Sequence, residues 1–182
     1  MNSIARYILI AGVSFSAGAG AFSFYERHQA KTYAGLETRE IKSLSADEFK
    51  GLKEGKGLGY ALSAELNGYP GPRHVLELAE KLKLTPEQKT QTEMLFAEMQ
   101  RESSALGEKL IEAERAIDRG FRHRLLDSAN LDSLTRNAAE IDGKLRATHL
   151  KYHLGMMDLL KPEQVASYVQ LRGYAGSGHT GH

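Results

Sequence analysis

Apolar residues recur at steps of three, four and seven along two long stretches of this chain, the period of a helix that buries one stripe. Leu95, Met99, Leu106, Leu110, Ala113, Ile117 and Phe121 make the first stripe. Leu134, Ala138, Ile141, Leu145, Thr148, Tyr152, Met156 and Leu159 make the second, without a break. The first helix is expected from Pro86 to about Leu125, roughly 40 residues and roughly 60 Å at about 1.5 Å per residue. Gly107 and Gly120 fall inside it; each costs about 1 kcal/mol of helix propensity relative to alanine, and either is a candidate bend. Asp127-Ser128-Ala129-Asn130 reads as the turn, with Asn130 a candidate N-cap for the return. Facing stripes joined by a short turn predict an antiparallel helical hairpin.

Two nearly identical pentads bracket the hairpin, Leu84-Thr85-Pro86-Glu87-Gln88 and Leu160-Lys161-Pro162-Glu163-Gln164. Thr85 suits an N-cap, Pro86 the first helical position, and Gln88 the place where a capping box closes. In the second pentad Lys161 replaces the capping threonine, yet Pro162 still permits a helix with Val165, Tyr168 and Leu171 apolar, ending at Gly173. Ahead of the hairpin, Ser45-Ala46-Asp47-Glu48 is a capping box that opens a short helix, which Gly51, Gly55, Gly57 and Gly59 then break up. Asn67-Gly68-Tyr69-Pro70-Gly71-Pro72 is a fixed chain reversal before a helix expected over His74–Lys83. Two long helices alone have too little core, so the shorter helices must fold back over them or a second chain must cover them.

Composition narrows the function classes. The chain has 182 residues, four prolines, no tryptophan and a net charge of +1. Near-neutrality argues against nucleic acid as a partner, since phosphate binding needs a cationic excess. The absence of cysteine excludes disulfides, a thiolate metal site and a lipid-modified cysteine anchor. From Tyr7 to Tyr25 no residue is charged; Arg6 precedes this stretch, and Ala17-Gly18-Ala19 and Ala19-Gly20-Ala21 fit a signal-cleavage rule. Residues 1–25 therefore read as a signal peptide or an N-terminal inner-membrane anchor, 26–44 as a tether, 45–174 as the helical hairpin domain and 175–182 as a flexible Gly/His tail. Either reading of the N-terminus puts the rest of the chain outside the cytoplasm.

Candidate chemistry sits on the second long helix. His149 and His153 are four apart and Met157 is four further on, so the three share one side of a helix. Two imidazoles at this spacing can share a metal, and a thioether adds affinity for soft copper. Met156 is the alternative thioether, and His74 a further ligand that folding would bring in. The bland alternative is an ordinary polar flank, because helical histidine pairs occur often without metal. No Gly-x-Ser-x-Gly elbow and no His-Glu-x-x-His occurs, and with no thiol nucleophile either, the chain reads as a non-enzyme.

Leu84, Thr85 and Gln88, with Leu160 and Gln164 in the second copy, resemble the Spy/CpxP-like family of periplasmic proteins with two Leu-Thr-x-x-Gln motifs. The similarity covers roughly Ile41 to Tyr174. The stretches from Ala64 to Pro72 and from Tyr168 to Tyr174 look more like the family's heavy-metal sensor branch than its chaperone branch. The resemblance implies an all-α fold: a long antiparallel hairpin with shorter flanking helices, dimerising into a cradle. It implies a metal-responsive sensor or accessory protein of envelope stress or metal resistance, holding zinc, copper, nickel or cobalt through His149 and His153 with Met156 or Met157. Relatives of that branch carry a histidine pair before the first long helix, where this chain has only His74. The implied partners are a second copy and a membrane signalling protein. The alternative is an ATP-independent holdase for unfolded client proteins.

Overall fold

The computed structural model describes residues 33–174; the expected signal or anchor at 1–25, the start of the tether and the tail with His179 and His182 lie outside the described residues. The chain divides into two units, residues 1–42 and 43–182. In the described part of the first, a single 3-10 turn at Leu36–Thr38 is entered through Gly35 at φ 94°. The described part of the second is all-helical: α1 (Ala46–Lys53), α2 (Leu62–Glu65), α3 (Pro72–Glu77), α4 (Pro86–Arg122), α5 (Ser128–Leu159) and α6 (Pro162–Leu171). Among the described residues no helix is long and apolar enough to cross a membrane.

The hairpin is α4 and α5, packed against each other along their length; α1 lies on α4, α2 on α5, and α3 on both. The stripe expected on α5 is buried at Ala138, Leu145, Thr148, Tyr152 and Met156. On α4 the outcome is mixed. Met99, Leu110 and Ala113 are buried, but Phe121 is exposed, and the small residues Thr92, Ser103 and Gly107 fill the face instead. Small side chains suit the close approach of α1 and α3. The helix runs through Gly107 unbroken: its missing side chain is where the Leu52 carbonyl of α1 sits.

Helix ends follow local chemistry, with three departures from expectation. The first long helix stops at Arg122, because Arg124 takes a left-handed conformation (φ 55°) and the Leu125 N–H returns to the Gly120 carbonyl. The cap of α5 is Asp127, one turn before Asn130; Asn130 supplies the other half of the box, its Oδ1 accepting from the Asp127 N–H at 2.9 Å. The helix expected over 74–83 is shorter and earlier. Pro72 opens it, and after Glu77 the chain passes through turns to Lys83, whose φ of 51° stops any continuation. The boxes at Ser45–Glu48 and Thr85–Gln88 form as expected.

The two pentads meet. Leu160 is buried in a cluster with Val75, Leu82, Met156 and Tyr168, and Leu84 packs against its edge. Gln88 Nε2 donates to Gln164 Oε1 at 2.9 Å and Gln164 Nε2 donates to Gln88 Oε1 at 3.0 Å, a reciprocal amide pair. Gln88 Nε2 also donates to the Leu159 carbonyl and Gln164 Nε2 to the Leu82 carbonyl. Each glutamine in addition accepts from the backbone N–H of its own helix cap, Thr85 or Lys161. The lysine thus loses one half of the box and keeps the other.

Candidate metal site

The spacing that puts His149 and His153 on one side of α5 turns both of them inward, where each is almost fully buried. They line a cavity of about 210 Å³ together with Glu65 of α2, His74 of α3, Met99 of α4 and Gly71. The reversal at 67–72 closes over it. His153 Nδ1 donates to the Tyr69 carbonyl at 2.8 Å; a carbonyl can only accept, so the proton sits on Nδ1 and a neutral ring keeps a lone pair on Nε2. A Cβ built on Gly71 would lie 2.8 Å from His153 Cε1, 3.0 Å from its Nε2 and 3.4 Å from Glu65 Oε2. Only glycine leaves that corner open.

Glu65 is the hub. Its Oε1 accepts from the Tyr168 hydroxyl, from the Tyr174 hydroxyl at 3.0 Å and from His74 Nδ1 at 3.2 Å, with Arg172 Nε 3.3 Å away. Burial works to raise the pKa of this carboxyl, but the hydrogen bonds from His74, Tyr168 and Tyr174 outweigh it and hold it down to about 2. Glu65 is therefore a carboxylate at neutral pH, and its Oε2 is buried without a hydrogen-bond partner.

His149 Nε2 is likewise buried and unpartnered, while the ring stacks on Tyr60 with centroids 5.7 Å apart. Tyr60 in turn donates to Asp142 Oδ1 at 2.5 Å. Burial, followed by the neighbouring charge of His153, lowers the His149 pKa to about 4. Its neutral imidazole is thus available as a ligand at any pH above that value. The depressed value also makes a stability prediction. Above about 6.5 the ring is neutral whether the chain is folded or not; as pH falls from 6.5 towards 4, only the unfolded chain takes up the proton. Stability is expected to fall across that window by on the order of 3 kcal/mol. Urea unfolding at stepped pH checks it: His149→Phe should flatten the curve between 6.5 and 4, and an unchanged slope would refute the assignment.

The expected ligands thus divide. His74, His149 and His153 come to one cavity. Met156 does not: it is fully buried in the apolar cluster with Val75 and Tyr168. Met157 is 37 % exposed and does not line the cavity. Glu65 and Met99 line the cavity although periodicity gave no reason to single out Glu65, which sits at the end of a four-residue helix too short to show a period. The one signal available was that Glu65 falls in the Ala64–Pro72 stretch. Among the described residues, no three His, Asp or Glu side chains are already gathered so that they could hold a metal ion. The unspent Nε2 and Oε2 atoms fit a metal chemically, and side-chain rotation would be needed to bring them to a common point.

No curated protein and no solved structure matches this chain. A family model described as LTXXQ motif family protein matches residues 72–172. That span holds α3 to α6, both pentads and the glutamine pair that joins them, and leaves α1, α2 and Glu65 ahead of it. With more than half its length matched, and with the motif glutamines bonded to each other at the base of the hairpin, the chain belongs to the LTXXQ motif family.

Proposed function

We propose that this protein is a periplasmic metal-responsive sensor or accessory protein, with its metal held by His149, His153 and Glu65 and with His74 as a further ligand. Family membership supports an envelope-stress-related role in the periplasm and a non-enzymatic one. The observation that carries the metal reading is the pair of buried, unpartnered atoms, His149 Nε2 and Glu65 Oε2, on one small cavity. Burying a polar atom without a partner costs free energy, and a cation entering the cavity would remove that cost. Imidazole and carboxylate donors suit zinc, nickel, cobalt or divalent copper.

Glu65 is the residue that makes such a site responsive. Its carboxylate also holds Tyr168 on α6 and Arg172 and Tyr174 just beyond it. Drawing that charge towards the cavity loosens the end of the chain after α6. Two packings of the C-terminal segment would then differ in metal affinity, which is what a ligand needs to shift a population. A membrane signalling protein that reads this segment is the implied partner. A second copy of the chain is proposed to cover the hairpin near Met94, 67 % exposed, and Leu154, 58 % exposed.

Calorimetry of the purified chain without an affinity tag, titrated with zinc, copper, nickel and cobalt, tests the reading. One saturable micromolar or tighter site is expected, abolished in His149→Ala/His153→Ala. Binding that survives in the double variant would overturn the ligand assignment. The rival holdase reading rests on the same exposed apolar residues of the hairpin; suppression of client aggregation in the absence of metal, measured by light scattering, would favour it.

A further inference from the structure

A second, larger cavity lies elsewhere in the described residues. It holds about 570 Å³ between α1, the loop at 58–60 and the middle of the hairpin. Its floor and sides are apolar, from Leu44, Leu52, Leu110, Ile117 and Ala138. Its charged lining residues are Glu48, Glu114 and Asp142, and no lysine, arginine or histidine lines it. We propose that this cavity binds a small organic cation with an apolar body, such as a protonated lipophilic amine or an alkylammonium ion.

The charge pattern selects this occupant. Glu114 accepts from the Ser43 hydroxyl at 2.7 Å and Asp142 from the Tyr60 hydroxyl at 2.5 Å, both neutral donors, and neither carboxylate forms an ion pair among the described residues. Glu114 and Asp142, set against the apolar side chains of the lining, put a negative potential into the space. An ammonium group brought there keeps counter-charges near it, so its burial is not that of an isolated ion. The apolar body of the ligand covers the leucine and isoleucine side chains, which a hydrated metal ion would leave wet. An anionic amphiphile of the same length would gain the apolar contact and meet the repulsion. The volume lies in the range of about 300–1,000 Å³ usual for small-molecule sites. None of the three histidines proposed to hold metal lines this cavity.

The test is calorimetry on the full chain in EDTA, with octyltrimethylammonium and octyl sulfate as matched probes below their micelle concentrations. One saturable site per chain is expected for the cation, at least tenfold tighter than for the sulfate. Glu114→Gln/Asp142→Asn should weaken the cation at least tenfold and narrow the gap between the probes, with circular dichroism unchanged. Should that double variant unfold, Glu114→Gln alone serves, since its amide oxygen still accepts from Ser43; a loss of at least threefold is expected. Equal affinity for both probes, no effect of the variants, or no saturable binding because a second copy of the chain fills the cavity would each overturn the proposal.

Discussion

Gly107→Ala should destabilise the protein by roughly 2 kcal/mol, although alanine is the better helix former by about 1 kcal/mol. The reason is a backbone contact. A Cβ built on Gly107 would lie 2.1 Å from the Leu52 carbonyl oxygen, 2.7 Å from its carbon and 3.1 Å from its Cα. None of these is the movable end of a side chain, so α1 as a whole must lift. Lifting it breaks more than packing. The Ser104 hydroxyl donates to the Lys53 carbonyl at 2.6 Å and Gln100 Nε2 to the Glu54 carbonyl at 3.3 Å, which satisfies carbonyls at the C-terminal end of α1 that have no partner inside it. The close seat continues at Gly55, where a Cβ would come 2.5 Å from the Gln100 carbonyl. Thermal or urea unfolding measures the loss, and amide exchange should show α1 less protected while α5 is spared. A variant more stable than the parent would mean that α1 does not rest on α4 in this way.

The second large effect is expected at the amide pair. Gln164→Ala should cost roughly 3 kcal/mol, because it strands Gln88, the Lys161 N–H and the Leu82 carbonyl in a buried place at once. Gln88→Ala should cost a similar amount for the matching reasons at Thr85 and Leu159. The two losses are not independent. Once either amide is gone the other has already lost its partner, so the double variant should fall short of the sum by about 1 kcal/mol or more. A double-mutant cycle in urea provides the number. Strict additivity would show that the two glutamines serve their own helix caps alone.

The periodic part of this fold was readable because it rests on repetition. Seven apolar positions and Thr148, at steps of three and four, fix the inner face of α5 whatever packs on it, and the boxes at Ser45 and Thr85 are local chemistry. Phe121 shows the limit: it keeps the period but lies past the reach of α1, beside the turn that joins α4 to α5, and so remains exposed. From sequence Gly107 is only a candidate bend, because its role depends on a segment more than 50 residues earlier in the chain. The candidate site was legible by half. His149 and His153 follow from helical spacing, and His74 from its place after the reversal. Glu65 could not be singled out from pattern, since α2 is a single turn and what marks the residue is convergence of Tyr168, Tyr174, His74 and Arg172 from distant positions. The same long-range assembly keeps Met156 away from the cavity: the helix face that carries it turns towards Val75 and Tyr168.

The two cavities share a wall. Leu58 lines both, and Tyr60 lines the larger while its ring lies flat against His149 in the smaller. Leu58 holds a left-handed backbone at φ 43°, and its side chain fills the space above Gly51, so this wall has few ways to give. Any occupant of one cavity that shifts Leu58 or Tyr60 must therefore change affinity at the other. Thermodynamic reciprocity then fixes the size of the return effect: whatever factor a guest of the larger cavity imposes on the histidines, a guest among the histidines imposes on it in turn.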